Sequence, residues 1–176
     1  LEECEAAAEL IAPVFDRLRG RGIVPSINIW WTVAFSDFPG LQRDGRSRFN
    51  FRWAVGIDGR ESRVVACPQD PAWREHTRRM YQIFAALKPV RLWIDDDVRM
   101  TLRADLHCPC FCDYCLAEVA RRSGRRFTRA ELLEAILADP PNPVRDVWLD
   151  FQGDLAVEIT GGLAAAVHQV LSLIHI

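Results

Sequence analysis

The chain has 176 residues, a formal net charge of -2 at neutral pH, 49% hydrophobic residues and 26% charged residues. That supplies ample apolar surface for a packed core, and near-neutral charge gives no footing for a nucleic-acid partner or an anionic membrane surface. No apolar run reaches the ~18–20 residues of a membrane-spanning helix, and no basic segment leading into an apolar one marks a secretory leader.

Residues 1–20 read as an amphipathic helix. Ala7, Leu10, Ile11, Val14, Phe15 and Leu18 recur at helical spacing, with Glu2, Glu3, Glu5, Glu9, Asp16 and Arg17 mostly on the opposite face. Gly20 and Gly22 end it. Residues 23–30 follow as a short strand rich in β-branched side chains, with Pro25 near its start, where a missing donor is best tolerated. Residues 33–50 form a long polar loop, and such a loop inside a compact domain is more often functional than idle. Two β-like runs, 51–57 and 60–66, flank Asp58-Gly59, a favourable two-residue hairpin turn.

The next helix, 71–87, opens with Asp70 as cap and Pro71 in its first turn, buries Trp73, Met80, Phe84 and Leu87, and stops at Lys88-Pro89. A second core strand, 90–95, runs into Asp96-Asp97-Val98-Arg99. A cysteine-rich loop leads to a short helix at 113–123. Thr128 and Glu131 then form a capping box for the following helix. After Asp139-Pro140-Pro141-Asn142-Pro143 a long helix carries Val144, Trp148, Phe151, Leu155 and Ile159 inward, with Gly161-Gly162 as a point for a bend. Helices alternating with strands are the rhythm of βαβ units on a parallel sheet. The fold class expected is α/β: part of a (β/α)8 TIM barrel, two to three βα units, with an inserted hairpin and a metal-binding loop. A complete barrel takes about 250 residues.

The chain opens on Leu1 inside a helical pattern and closes on Leu171-Ser172-Leu173-Ile174-His175-Ile176. That hexapeptide matches one reading frame of a transposon-end adapter used in sequencing libraries. The domain reading is therefore residues 1–170 as a piece of a longer catalytic domain, with 171–176 as an adapter or cloning scar.

Five of the six cysteines point to one metal site. Cys108, Cys110, Cys112 and Cys115 fall in a single short segment, and Cys67 lies upstream before Pro68. The pattern Cys110-x-Cys112-x-x-Cys115 offers three thiolates from one turn, and Cys67 is the choice for the fourth, with Cys108 as substitute. Four thiolates suit a closed, structural Zn2+. Disulfides fit poorly, since neighbouring C-x-C residues rarely reach disulfide geometry, iron–sulfur sites usually carry other spacings, and a redox C-x-x-C would not be crowded by extra thiols. A reduced thiol cluster leans toward a cytoplasmic setting. A homo-oligomer is compatible with this composition.

Chemistry on parallel sheets gathers at the carboxyl ends of the strands. The first strand delivers Asn28, Trp30 and Trp31, and the second delivers Asp95, Asp96, Asp97 and Arg99. Strand alternation puts Asp95 and Asp97 on one side, where mutual repulsion can keep one protonated as a general acid. Exposed indoles suit the C–H faces of sugars, and Arg99 suits pairing with a carboxylate. Each has a plainer reading: the tryptophans as core, the aspartates as partners of loop amides, or the three carboxylates as an Mg2+ or Ca2+ site.

These residues together resemble family 42 β-galactosidases and related glycoside hydrolase-like proteins. That family ends a barrel strand with a Trp-Gln-Ile-Asp-Asn-Glu type segment and follows it with a zinc-binding Cys-x-Cys-x-x-Cys loop. Leu92-Trp93-Ile94-Asp95-Asp96-Asp97 stands at the matching place, with Cys110, Cys112 and Cys115 in the loop and Cys67-Pro68 as the distant ligand. The resemblance spans roughly residues 20–125. It implies a carbohydrate substrate, Asp97 as proton donor with Asp96 or Asp95 orienting it, and Asn28, Trp30, Trp31 and Arg99 around the sugar. It departs from the family where Asp96-Asp97 replaces asparagine–glutamate. The shorter side chain draws the donor back by on the order of an ångström, a large shift where retaining enzymes hold their carboxyls about 5–5.5 Å apart. The resemblance puts the nucleophile on a later strand beyond residue 176, so the chain alone is expected to be inactive. Alternative readings are a diverged carbohydrate-binding or zinc-stabilised scaffold, and a metal-dependent hydrolase using the aspartates.

Overall fold

The computed structural model describes residues 1–29, 49–94 and 109–171. In chain order these form α1 (Glu2–Arg19), β1 (Ile27–Ile29), β2 (Trp53–Val55), β3 (Glu61–Ala66), α2 (Pro71–Ala85), β4 (Leu92–Ile94), α3 (Asp113–Ser123), α4 (Arg129–Leu137) and α5 (Pro143–Val170).

The strands make two separate sheets. β1 and β4 are parallel, pairing Ile27 with Leu92, Asn28 with Trp93 and Ile29 with Ile94. β2 and β3 are antiparallel, with an irregular register between Trp53 and Val55. This corrects the expectation of a partial (β/α)8 barrel. The hairpin satisfies its hydrogen bonds within itself instead of extending the β1–β4 sheet, and among the described residues three helices follow β4 with no strand between them. Among the described residues no barrel closes, and helix predominates.

The hairpin turn is also wider than a two-residue turn. Gly56 N–H donates to Arg60 O (2.9 Å), Gly59 takes the left-handed conformation (φ 84°), and the Asp58 carboxylate accepts from Arg60 N–H (3.0 Å). The side chain bonds the backbone two residues on, stabilising the wider turn locally.

Helix boundaries follow local chemistry closely. Asp70 caps α2, one carboxylate oxygen accepting from Ala72 N–H (3.1 Å) and the other from Arg52 N–H (2.8 Å), so a buried carboxylate fastens the hairpin to the start of the helix. At the other end of α2, Arg19 of α1 donates to Leu87 O (2.6 Å) and Lys88 O (2.8 Å), satisfying orphan carbonyls with a cation. Thr128 and Glu131 form the reciprocal capping box of α4. Asn142 caps α5, and Gly124 ends α3 in the left-handed conformation.

α5 is the spine. It packs on α2, α3 and α4 and buries Trp148, Phe151, Leu155, Ile159, Leu163 and Ala166. It runs without interruption through Gly161-Gly162, where a bend was expected. Each helical glycine costs about 1 kcal/mol relative to alanine, whereas burying a side chain the size of Ile159 or Leu163 returns about 1.5–3 kcal/mol, so packing carries the helix through both glycines. α1 departs from its expected stripe: Ala8 and Phe15 are buried while Leu10 and Val14 are exposed. It covers one helix, α2, and a narrow contact needs only a narrow face. No described helix is long and apolar enough to cross a membrane.

α3 is tied to α5 by charge. Glu118 accepts from Arg121 (2.7 Å) and Arg122 (2.7 Å), and Arg122 reaches Asp154 on α5 (2.6 Å). The hydrogen bond from Arg121, aided by Arg122, lowers the Glu118 carboxyl from 4.5 to about 2. A depressed carboxyl contributes stability that is full above its unfolded value and is lost as pH falls through the folded one. Glu118→Gln should therefore cost on the order of 1 kcal/mol at neutral pH, the solvent-screened scale for exposed partners, and the difference from wild type should vanish as pH drops from 4.5 toward 2. Denaturation curves across that range check this. Phe151→Ala, at a fully buried position, should cost about 3–5 kcal/mol by denaturant unfolding at fixed metal concentration.

Candidate metal centre

The sulfur atoms of Cys67, Cys110, Cys112 and Cys115 all lie within 4.8 Å of one another, and all four residues are buried. Cys67 Sγ is 3.4 Å from Cys112 Sγ and 3.6 Å from Cys115 Sγ, and Cys112 Sγ is 4.0 Å from Cys115 Sγ. All four are free thiols, at separations far beyond the S–S bond of about 2.05 Å. A tetrahedron with metal–sulfur bonds of about 2.3 Å has edges of about 3.8 Å, and the measured separations bracket that value. Four cysteine ligands close the coordination sphere and leave no open position for substrate.

Each ligand arrives for a local reason. Cys67 follows β3, where its N–H donates to Arg52 O (2.6 Å) and its carbonyl accepts from Asp70 N–H (2.9 Å). The loop bearing Cys110 is held to β2 by Phe111 N–H donating to Val55 O (2.8 Å). Cys112 is the N-cap residue of α3, and Cys115 falls in that helix's first turns. Helix pitch therefore turns Cys112 and Cys115 to one side, and the partial positive charge of the helix start favours thiolate there.

Backbone donors complete the environment. Val55 N–H and Cys112 N–H both point at Cys110 Sγ (3.4 Å each), and Gln69 N–H points at Cys67 Sγ (3.4 Å). Such bonds stabilise sulfur-centred negative charge and orient the ligands. Hydrogen bonds from Cys110, Cys115 and Cys67 pull the Cys112 thiol far below its ordinary range. Cys67 and Cys115 are pushed up, first by their bonds with Cys110 and Cys112. A bound cation would supply the compensating charge that lets all four sulfurs act as donors. Arg52, bonded to Asp113 at 2.6 Å, adds a further positive charge: burial works against its guanidinium, but the bond to Asp113 and the Cys112 sulfur raise its pKa overall.

The centre is joined to the spine twice. The Phe111 ring stacks on Trp148 of α5, centroids 4.8 Å apart and planes 18° apart. Arg74 of α2 donates to Pro68 O (2.8 Å) and Gln69 Oε1 (2.9 Å) and pairs with Glu158 of α5 (2.7 Å).

Of the other residues singled out by sequence, Asn28 lies on β1, exposed. Trp30, Trp31, Asp95, Asp96, Asp97, Arg99 and Cys108 lie outside the described residues. Cys4 on α1 stands apart from the cluster, half-buried, its thiol raised by that burial. Sequence reasoning missed Trp93, exposed opposite Asn28, although it stands two residues before Asp95, one strand repeat. It also missed Arg52 and Phe111, which act on the site from positions with no motif of their own. No protein-family model, curated protein or solved structure matches the chain.

The four cysteines are placed to hold one metal ion between them. Metal analysis should find one ion per chain, lost or weakened by more than tenfold in Cys67→Ser and in Cys110→Ser and retained in Cys4→Ser.

Proposed function

We propose that this chain belongs to a carbohydrate-acting hydrolase in which Zn2+ at Cys67, Cys110, Cys112 and Cys115 is structural and acid–base chemistry falls to Asp95, Asp96 and Asp97. Zinc is favoured because a dry tetrathiolate with near-tetrahedral spacing suits a borderline-soft ion with no geometric demand of its own. The sequence resemblance to family 42 β-galactosidases supplies the reaction class.

One observation carries the reading furthest. The β1–β4 sheet has an apolar face, Ile27, Ile29, Leu92 and Ile94, packed on the core, and an exposed face bearing Asn28 and Trp93. Because the strands are parallel, both carboxyl ends point the same way, and the residues that continue them in sequence are Trp30 and Asp95. Asn28 and Trp93, residue types that suit sugars, share the face left open.

On this reading Asp97 donates the proton to the leaving oxygen, and its neighbours raise its affinity for that proton by like-charge repulsion. Arg99 limits the repulsion. The zinc does no chemistry and holds the loop that follows. In the full-length protein, Asp97→Asn should reduce turnover of aryl β-galactosides at least a hundredfold, the usual scale for a general acid, with zinc content unchanged. Wild-type turnover in that variant would overturn the assignment. Loss of activity to EDTA with recovery by Mg2+, zinc being retained, would instead select catalysis by a metal at the aspartates.

A further inference from the structure

The four sulfurs of the metal centre differ in their surroundings. Cys110 Sγ takes two backbone N–H groups, from Val55 and Cys112 (3.4 Å each), and Cys67 Sγ takes one, from Gln69 (3.4 Å). Cys112 opens α3 as its N-cap residue, where a helix start favours negative charge on an attacking sulfur. Among Cys67, Cys112 and Cys115, the shortest separation joins Cys67 to Cys112 (3.4 Å), against 3.6 Å for Cys67 to Cys115 and 4.0 Å for Cys112 to Cys115. A disulfide needs about 2.05 Å, so the first pair closes by about 1.4 Å and the last by about 2 Å. Cys67 directly follows β3 and Cys112 starts α3, so their closure brings two elements together. Joining Cys112 to Cys115 would instead distort a single helical turn, which Leu116 N–H holds by donating to Cys112 O (2.9 Å).

We propose that Cys67 and Cys112 are an oxidisable pair: in the metal-free protein hydrogen peroxide converts them to a disulfide, and that disulfide and the metal exclude each other. This rests on the reading of the four sulfurs as one metal centre and is independent of the carbohydrate reading. The Cys112 sulfur attacks one peroxide oxygen, the O–O bond breaks, and the departing hydroxide leaves as water with the thiol proton. The Cys67 sulfur then attacks the sulfenic sulfur of Cys112. The S–S bond forms, the S–O bond breaks, and hydroxide leaves with the Cys67 proton as a second water. Two thiols are oxidised to one disulfide while one peroxide is reduced to two waters. A bound metal holds all four sulfurs as ligands, so neither is free to attack. After oxidation only Cys110 and Cys115 remain of the four, too few to close a tetrahedral site. The disulfide spans the junction between the end of the hairpin and the start of α3, so the oxidised chain keeps a cross-link there while losing the site.

The test treats full-length protein, metal-free or zinc-loaded, with one equivalent of hydrogen peroxide and maps disulfides by mass spectrometry of the unreduced digest. Metal-free protein should yield the Cys67–Cys112 cross-linked peptide, fail to take up zinc, and recover zinc binding after a thiol reductant. The same link should form when chelator and peroxide are added together to the loaded protein, so that the sulfurs meet the oxidant while the fold is intact. With free zinc about a hundred times its dissociation constant, oxidation should slow about a hundredfold, since only the metal-free form reacts. Cys115→Ser should still form the link, and Cys67→Ser should leave a sulfenic acid at Cys112 that dimedone traps. If either variant misfolds, the wild-type map decides alone. A map dominated by Cys112–Cys115, or by links to Cys108 or Cys110, would overturn the pair and leave the metal centre standing. So would undiminished zinc uptake by the oxidised protein. A reduced wild type that binds no zinc would overturn the metal centre and the oxidation switch together.

Discussion

Four buried sulfur atoms within 4.8 Å of one another set the terms for the rest of the molecule. Without a cation they compete for charge, with Cys112 drawn toward thiolate and Cys67 and Cys115 pushed the other way by their bonds with Cys110 and Cys112. A divalent cation converts that uneasy arrangement into a rigid tetrahedron. The surroundings already anticipate the charge: backbone N–H groups aim at Cys67 and Cys110, and Arg52 stands beside Cys112 and Asp113. Through Phe111 on Trp148 and Arg74 on Glu158, the same centre fixes the hairpin against α5. A small two-stranded hairpin is marginal alone, and here these anchors give it a definite place.

The molecule separates rigidity from reactivity. Its four-cysteine cluster is buried and offers four ligands of its own, which suits holding a metal and not substrate. The β1–β4 sheet is the opposite: a minimal pair of strands with one face in the core and one open. What connects them is the chain itself, since the segment leaving β4 returns at Pro109 and Cys110 into the metal loop.

How far the sequence could be read depended on how local the governing physics was. Asp70 before Pro71, and Thr128 with Glu131, announce their helices because a cap satisfies backbone groups two or three residues away. The clustered cysteines were legible because no ordinary core needs thiols at that spacing. Strand extents were not. Residues 23–30 read as one strand, yet among the described residues β1 spans Ile27–Ile29, and Ile23 and Val24 are exposed, because a strand lasts only as long as its neighbour does. The barrel expectation failed for the same reason: alternation of helix and strand names the elements, but partner choice between sheets is decided by distant segments. The face of α1 was misjudged because its partner, α2, sets which residues are covered. Trp93 escaped notice because an indole in a strand reads as core until the pairing shows which face it takes.

The separation of the ligands along the chain has a topological consequence. Cys67 and Cys110 bracket everything from Pro68 to Pro109, so one ion held by the four cysteines would fasten both ends of a long stretch containing α2 and β4. In chain-entropy terms this resembles a covalent cross-link, worth about 3–5 kcal/mol for a loop of this size. Unlike a disulfide, the link is made by mass action, so its strength tracks free metal and thiol protonation. With metal bound, the stretch that contains β4 would be tethered at both ends by a link that free metal and pH titrate.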